Sequence, residues 1–249
     1  IKAIFPGTGG YGSTRILEYL DYKIIRENPK IFIGFSDITA IHIAINQLSD
    51  LVTFHTPNPM YGLGSPNGID TVAGNYFWKL LETRQINKIP FDFSTDSINT
   101  KVITHGIAKG QLVGGNLSLI CSMMGSKFEI NTTNKILFIE DVGEAPYRID
   151  RYLQELKLGG KLDSLRGAVI GRLTRRQHEI SDKPGDFTMG QVLDQYFINL
   201  NIPVIKDFSA GHVKRNISLP LGAMVEINTK AREIKILQKL DKIRYWENF

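Results

Sequence analysis

The chain has 249 residues, 42% of them hydrophobic and 22% charged, with a single cysteine. A disordered tail would carry far fewer apolar residues, a secreted disulfide scaffold many more cysteines, and a membrane span a long uncharged apolar run that is nowhere in the sequence. The net charge of +5, from 30 Lys and Arg against 25 Asp and Glu, is too diffuse for a nucleic-acid-binding stripe. A soluble, globular, cytoplasmic chain with no nucleic-acid or membrane partner is expected.

In chain order, Ile1-Lys2-Ala3-Ile4-Phe5 reads as a buried strand, with neither an initiator Met nor a signal-peptide pattern. A strand starting at residue 1 suggests a fragment of a polypeptide that extends upstream. The glycine-rich run Gly7-Thr8-Gly9-Gly10-Tyr11-Gly12-Ser13 leads into a helix over Thr14–Leu20, and Ile31–Phe35 forms a second strand. That strand runs directly into Ser36-Asp37 and a helix with Ile38, Ile41, Ile45 and Leu48 on one face. A strand over Leu51–Phe54 and a Pro-, Gly- and Asn-rich loop from Pro57 to Gly68 follow. Helix Thr71–Thr83 then closes an N-terminal α/β domain, residues 1–84.

The polar stretch 85–100 reads as a linker, and residues 101–249 as a second, mixed β/α domain. Its elements are a strand over Ile107–Val113, a helix opened by Gly114-Gly115-Asn116 and running through Met124, and a buried strand over Lys135–Ile139. Helix Ile149–Gly159, strand Ala168–Ile170, helix Met189–Leu200, strand Val204-Ile205 and a closing pair around Met224–Ile227 and Glu233–Leu237 complete it. Arg172, Arg175 and Arg176, just before a polar segment, read as a solvated loop rim. Two unlike halves imply a cleft between them, where ligand sites commonly sit.

Ser36 is the most suggestive single position. A strand that enters Gly-Phe-Ser-Asp and then a helix resembles a nucleophile elbow, in which the serine stands where backbone N–H groups can stabilise an oxyanion. Ile38 sits where the second glycine of that motif belongs, so capping of the helix by Ser36 or Asp37 stays open. A serine nucleophile needs a base and the base an orienting carboxylate. Of the five histidines, His42 lies inside a helix and His55 at a strand end, both structural places, while His105 and His178 lie in polar stretches without a motif. His212, in a glycine-punctuated loop, is the best base candidate. Glu140, with Asp141, stands at the end of an apolar strand, and the order Ser36, Glu140, His212 fits the nucleophile, acid and base order of α/β hydrolases. The glycine run also satisfies G-x-G-x-x-G, with Asp37 in place for a ribose, so a nucleotide-binding module is weighed beside the hydrolase. Cys121, in an apolar helical run, reads as a buried structural thiol. No residue spacing resembles a metal site, and no cofactor is expected.

Several motifs in order, Gly9-Gly10-Tyr11-Gly12-Ser13, Gly34-Phe35-Ser36-Asp37-Ile38-Thr39-Ala40, Gly114-Gly115-Asn116-Leu117, Ile139-Glu140-Asp141, Tyr147-Arg148-Ile149-Asp150-Arg151, Gly211-His212-Val213 and Leu219-Pro220-Leu221-Gly222, resemble the LD-carboxypeptidase family over essentially the whole chain. That family comprises muramoyltetrapeptide carboxypeptidases and relatives that inactivate microcin C. The resemblance implies an N-terminal domain similar to class I glutamine amidotransferases, truncated at its start, a C-terminal swivelling β/β/α domain, and a homodimer. It implies a Ser-Glu-His triad on Ser36, Glu140 and His212, with an oxyanion hole from the backbone of Asp37 and of Gly9 or Gly10. The implied reaction is release of a terminal D-Ala from a murein tetrapeptide, with hydrolysis of a microcin-type peptidyl nucleotide as the alternative. Arg148 and Arg151 are candidates for holding the terminal carboxylate, if they face the cleft. Two departures bear on substrate range: Thr8 stands where the family usually has Arg, and Thr56 replaces the glycine of a His-Gly-Pro.

Overall fold

The computed structural model describes residues 1–83, 87–93, 98–175 and 185–237. Its first part runs β1 (Ala3–Ile4), α1 (Ser13–Ile16), α2 (Tyr22–Glu27), β2 (Ile31–Gly34), α3 (Thr39–Leu48), β3 (Thr53–His55) and α4 (Thr71–Trp78). The middle comprises β4 (Lys88–Pro90), β5 (Lys101–Thr104), β6 (Ile107–Asn116), α5 (Leu117–Ser122), β7 (Ile136–Val142), α6 (Pro146–Leu158) and β8 (Gly167–Thr174). The last part is α7 (Met189–Phe197), β9 (Val204–Lys206), β10 (Leu219–Leu221), β11 (Met224–Asn228) and β12 (Glu233–Ile236). Among the described residues, no helix is long and apolar enough to cross a membrane.

Two sheets result. The smaller has the order β1-β2-β3-β10, with β1, β2 and β3 parallel and β10 antiparallel to β3. The larger has the order β4-β12-β11-β6-β7-β8-β9-β5, parallel from β6 to β9 and antiparallel toward both edges. The parallel strands are continuous apolar runs, as strands covered on both faces must be: Ile136, Leu137, Phe138 and Ile139 of β7 are all fully buried.

Helix α3 joins the two layers. Thr39 through Ile45 are all buried, so this short helix has no solvent face over two turns. It packs on β3 of the small sheet and on β6 of the large one. The Thr39 hydroxyl accepts the Asn116 N–H at 2.9 Å, tying the start of α3 to the end of β6. Each buried isoleucine of α3 contributes about 1.5–3 kcal/mol by leaving water, so the helix is fixed before any functional group is placed. The buried side chains of both sheets form one continuous cluster.

The structure revises several expectations from the sequence. The first strand is only Ala3–Ile4, at the edge of the small sheet, and Ile1, Ile4 and Phe5 are exposed rather than buried. Lys88–Pro90, inside the stretch read as a linker, is a strand paired with β12. Its neighbours show why: Ile89, Phe91 and Phe93 alternate into the core, with Pro90 and Asp92 between them, inside a stretch whose surrounding residues are polar. Strand β10 returns from the second half of the chain to complete the sheet of the first. Arg172 belongs to β8 and is buried, donating from Nη2 to the Ile98 carbonyl at 2.6 Å, so it is not part of a solvated rim. Arg176 and His178 lie outside the described residues. Helix α2, capped by the Asp21 side chain on the Lys23 and Ile24 N–H groups, is an element the sequence pattern passed over.

Candidate active site

Ser36 follows β2 in a sharp turn. Gly34 has φ 142° and Ser36 itself has φ 65°, a left-handed conformation that costs a non-glycine residue roughly 1 kcal/mol or more. The turn lifts the serine out of the strand line and delivers the chain into a 3-10 turn over Ser36–Ile38 and then α3. Neither Ser36 nor Asp37 caps that helix. The Asp37 carboxylate accepts the Ser13 N–H at 2.9 Å instead, anchoring the glycine loop beside the turn. With Asp37 so engaged, and α1 only one turn long, the loop lacks the acid and the helix a dinucleotide fingerprint requires.

The Ser36 hydroxyl lies 3.0 Å from His212 Nε2, and His212 Nδ1 lies 2.7 Å from Glu140 Oε2. Three separate pieces of chain therefore converge: the end of β2, the end of β7, and the loop after β9. Glu140 is fully buried. Ile139 pairs with Ile170 and Asp141 with Leu173, so Gly171 and Arg172 of β8 together face Glu140 in a bulge, which locally re-aims a strand. Gly211 closes the other side. Its φ is 114°, and a β-carbon there would lie 2.6 Å from Glu140 Oε2, so only glycine lets the loop pass that close to the carboxylate. Phe35 packs against the His212 ring, centroids 4.9 Å apart.

The glycine loop approaches Ser36 just as closely. A β-carbon on Gly9 would stand 2.8 Å from Ser36 Cβ and 3.1 Å from Oγ. The N–H groups of Gly9 and Gly10 donate to no acceptor among the described residues. Backbone donors beside a hydroxyl nucleophile are what an oxyanion requires.

A second set of residues, which the sequence did not single out, holds the His212 loop. Asn216 Oδ1 accepts the Gly211 N–H at 2.9 Å and lies 3.2 Å from His55 Nε2. His55 is fully buried between Phe35 and Phe138. Burial, with a smaller push from the neighbouring His42, lowers its imidazole to about 3. His42, bonded to the Gly34 carbonyl at 3.0 Å, is lowered by burial to about 4. Both rings are neutral struts under the site, the structural places expected of them. Arg215 forms a two-point bridge to Asp70 at 3.0 and 3.1 Å, linking the loop to the N-terminus of α4, which Asp70 also caps. Asp141, beside Glu140, is raised by burial to about 6 while accepting from Val142, Ser118 and Asn116.

Above Ser36 and His212 opens a cavity of about 670 Å³. Thr8, Gly9 and Gly10 line it, as do Asn58, Met60, Tyr61 and Ile69, with the Met60 N–H donating to the Gly7 carbonyl at 2.9 Å. Arg148 and Arg151 do not line it. Arg148 pairs with Glu144 at 3.3 Å and with the Tyr147 hydroxyl at 3.0 Å, and Arg151 lies over the Tyr147 ring, so both serve helix α6. Lys214, which the sequence did not suggest, does line the cavity. Cys121 is buried, and its thiol is pushed up to about 12, chiefly by burial, which removes it as a nucleophile. Thr56 is buried and donates to the Pro57 carbonyl. Among the described residues, no cluster of three or more His, Cys, Asp or Glu is placed to hold a metal.

A hydroxyl bonded to an imidazole that is itself bonded to a buried carboxylate, beside free backbone donors, is the constellation of acyl-transfer hydrolases. The sequence comparisons agree with that class. The model of the LD-carboxypeptidase N-terminal domain matches residues 1–56 and that of the C-terminal domain residues 109–227. The chain belongs to the LD-carboxypeptidase family. It is 38% identical over 234 residues to the probable murein peptide carboxypeptidase of Bacillus subtilis, covering 92% of this chain and 69% of that one. Identity to the microcin C7 self-immunity protein MccF of Escherichia coli is 29% over 261 residues, covering 95% and 74%. The fold matches the crystal structure of muramoyltetrapeptide carboxypeptidase from Oxalobacter formigenes with a TM-score of 0.81 at 27% identity, covering 95% of this chain and 78% of that one. It matches MccF with a TM-score of 0.82 at 28% identity, covering 96% and 77%.

Proposed function

We propose that the protein is a serine carboxypeptidase that releases the terminal D-Ala of a murein tetrapeptide in peptidoglycan recycling. The amide cleaved joins an L-centre, meso-diaminopimelate or L-Lys, to that D-Ala. The observation that carries this reading is the hydrogen-bonded chain Ser36–His212–Glu140 at 3.0 and 2.7 Å on the floor of an open cavity, in a chain of this family.

Ser36 Oγ attacks the carbonyl carbon as its proton passes to His212 Nε2. Glu140, accepting from Nδ1–H, fixes the tautomer that leaves Nε2 free to take that proton and stabilises the imidazolium that forms. The Gly9 and Gly10 N–H groups, with that of Asp37, receive the oxyanion. Collapse of the tetrahedral intermediate breaks the C–N bond, and the imidazolium returns its proton to the departing D-Ala amine. Water then attacks the ester on Ser36, giving a proton to His212, which passes it back to Oγ as the tripeptide carboxylate leaves.

Resemblance to MccF, which has been solved in complex with aspartyl sulfamoyl adenosine, supports a second reading, hydrolysis of an aminoacyl nucleotide amide. The cavity favours the peptide: a base needs aromatic platforms, and among the described lining residues the Phe, Tyr and Trp rings are Phe35 and Tyr61. Parallel assays with a murein tetrapeptide and an aminoacyl sulfamoyl adenylate separate the two. Faster turnover of the tetrapeptide is expected, and turnover of the adenylate alone would select the second reading.

A further inference from the structure

We propose that Lys214 receives the free α-carboxylate of the substrate's leaving residue, making the site selective for a chain end over an internal peptide bond. This inference rests on the carboxypeptidase reading above.

The charges of the cavity wall carry it. Apart from His212, the acidic and basic side chains among the described lining residues are Asp70 and Lys214. Asp70 is committed twice over, to Arg215 and to the N-terminus of α4. Lys214 makes no ion pair or hydrogen bond through its ammonium with any described residue. Among the described residues, Lys214 is therefore the lining cation that no partner compensates, and it belongs to the same cavity lining as Ser36.

Its place along the chain matches the chemistry. His212 Nε2 protonates the departing nitrogen, so that nitrogen must come within roughly 3 Å of it. The α-carboxylate of the leaving residue is two bonds further on, on the His212 side of the scissile bond. Lys214 is two residues from His212, within about 7 Å along the backbone, and its flexible four-carbon stem spans the remainder. The backbone between them is held: Val213 N–H donates to the Gly211 carbonyl at 2.8 Å, Ser209 Oγ donates to the Arg215 carbonyl at 3.1 Å, and Arg215 is bridged to Asp70. An internal peptide presents a neutral amide where the chain end presents a carboxylate, and leaves this ammonium unpaired. With Arg148 and Arg151 committed on α6, Lys214 is the cation of the cavity lining among the described residues.

The test compares kcat/KM for L-Ala-γ-D-Glu-L-Lys-D-Ala with that for its C-terminal amide, in wild type, Lys214→Met and Lys214→Arg. Wild type should prefer the acid. Lys214→Met should cut the acid-to-amide ratio roughly fivefold, the scale of a partly exposed ion pair, with the change in KM, and Lys214→Arg should restore most of it. An unchanged ratio in Lys214→Met, with wild type cleaving the acid, overturns the role of Lys214 and leaves the carboxypeptidase reading standing. No D-Ala release by wild type overturns both.

Discussion

The floor and the outer wall of the cavity are built in opposite ways. The floor is assembled from three distant pieces of chain, each locked: Ser36 by a strained turn, Glu140 by a bulge in the large sheet, His212 by a loop tied through Asn216 to His55. The wall around Met60 and Tyr61 is one local loop, with those side chains 59% and 66% exposed. The arrangement of Ser36, His212 and Glu140 thus rests on long-range contacts, whereas Met60 and Tyr61 sit at the exposed tip of a single segment.

The floor should break most completely. Ser36→Ala or His212→Ala should lower kcat by at least about 10⁴-fold, because the members of such a chain act as a unit, while circular dichroism and melting temperature stay near wild type. Steady-state kinetics with an active-site titrant would check this. Glu140→Gln should cost about 10³- to 10⁴-fold by favouring the wrong tautomer of His212. Gly211→Ala introduces a methyl 2.6 Å from Glu140 Oε2 at a φ of 114°. It should lower both kcat and the melting temperature, the latter by roughly 4–8 °C for about 2 kcal/mol of strain.

Acid should loosen the floor before the wall. His42 and His55 have native pKa values of about 4 and about 3, below the ordinary 6.5, so between pH 6.5 and 4 the unfolded chain binds protons the native one refuses. Stability conferred by their burial is present above pH 6.5 and is lost as pH falls through that window. Asp141, raised to about 6, acts in the opposite sense, since its native form gains a proton first and so offsets part of the loss between pH 6 and 4. Urea midpoints measured from pH 7 to 4 should fall, and fall less steeply in His42→Gln. At the wall, Tyr61→Ala should raise KM only about two- to threefold with kcat little changed, seen in the same steady-state assay.

The legibility of the molecule from its sequence follows the same division. Ser36 was readable because its signal is local, an apolar strand, a tight Gly-Phe-Ser-Asp turn and a helix in succession. Glu140 and His212 had local contexts that narrowed the choice, a strand end and a glycine loop, but their meeting depends on β7 and the loop after β9 facing α3 across two sheets. Features set by pairing rather than periodicity escaped. The segment around β4 hid the alternation of Ile89, Phe91 and Phe93 in a polar stretch, β10 crossed to the other sheet, and Arg172 sat inside a strand. For the substrate carboxylate, Arg148 and Arg151 attracted attention by motif, although a helix spends them on its own neighbours. Lys214 and Asn216, two unremarkable residues in a polar loop, acquire meaning only when that loop is folded over the cavity.

Mass spectrometry of L-Ala-γ-D-Glu-L-Lys-D-Ala incubated with wild type and Ser36→Ala tests whether Ser36 is the nucleophile of D-Ala release. Loss of one D-Ala is expected with the wild type and an intact tetrapeptide with the variant. Release of D-Ala by both proteins, or by neither, would contradict that role.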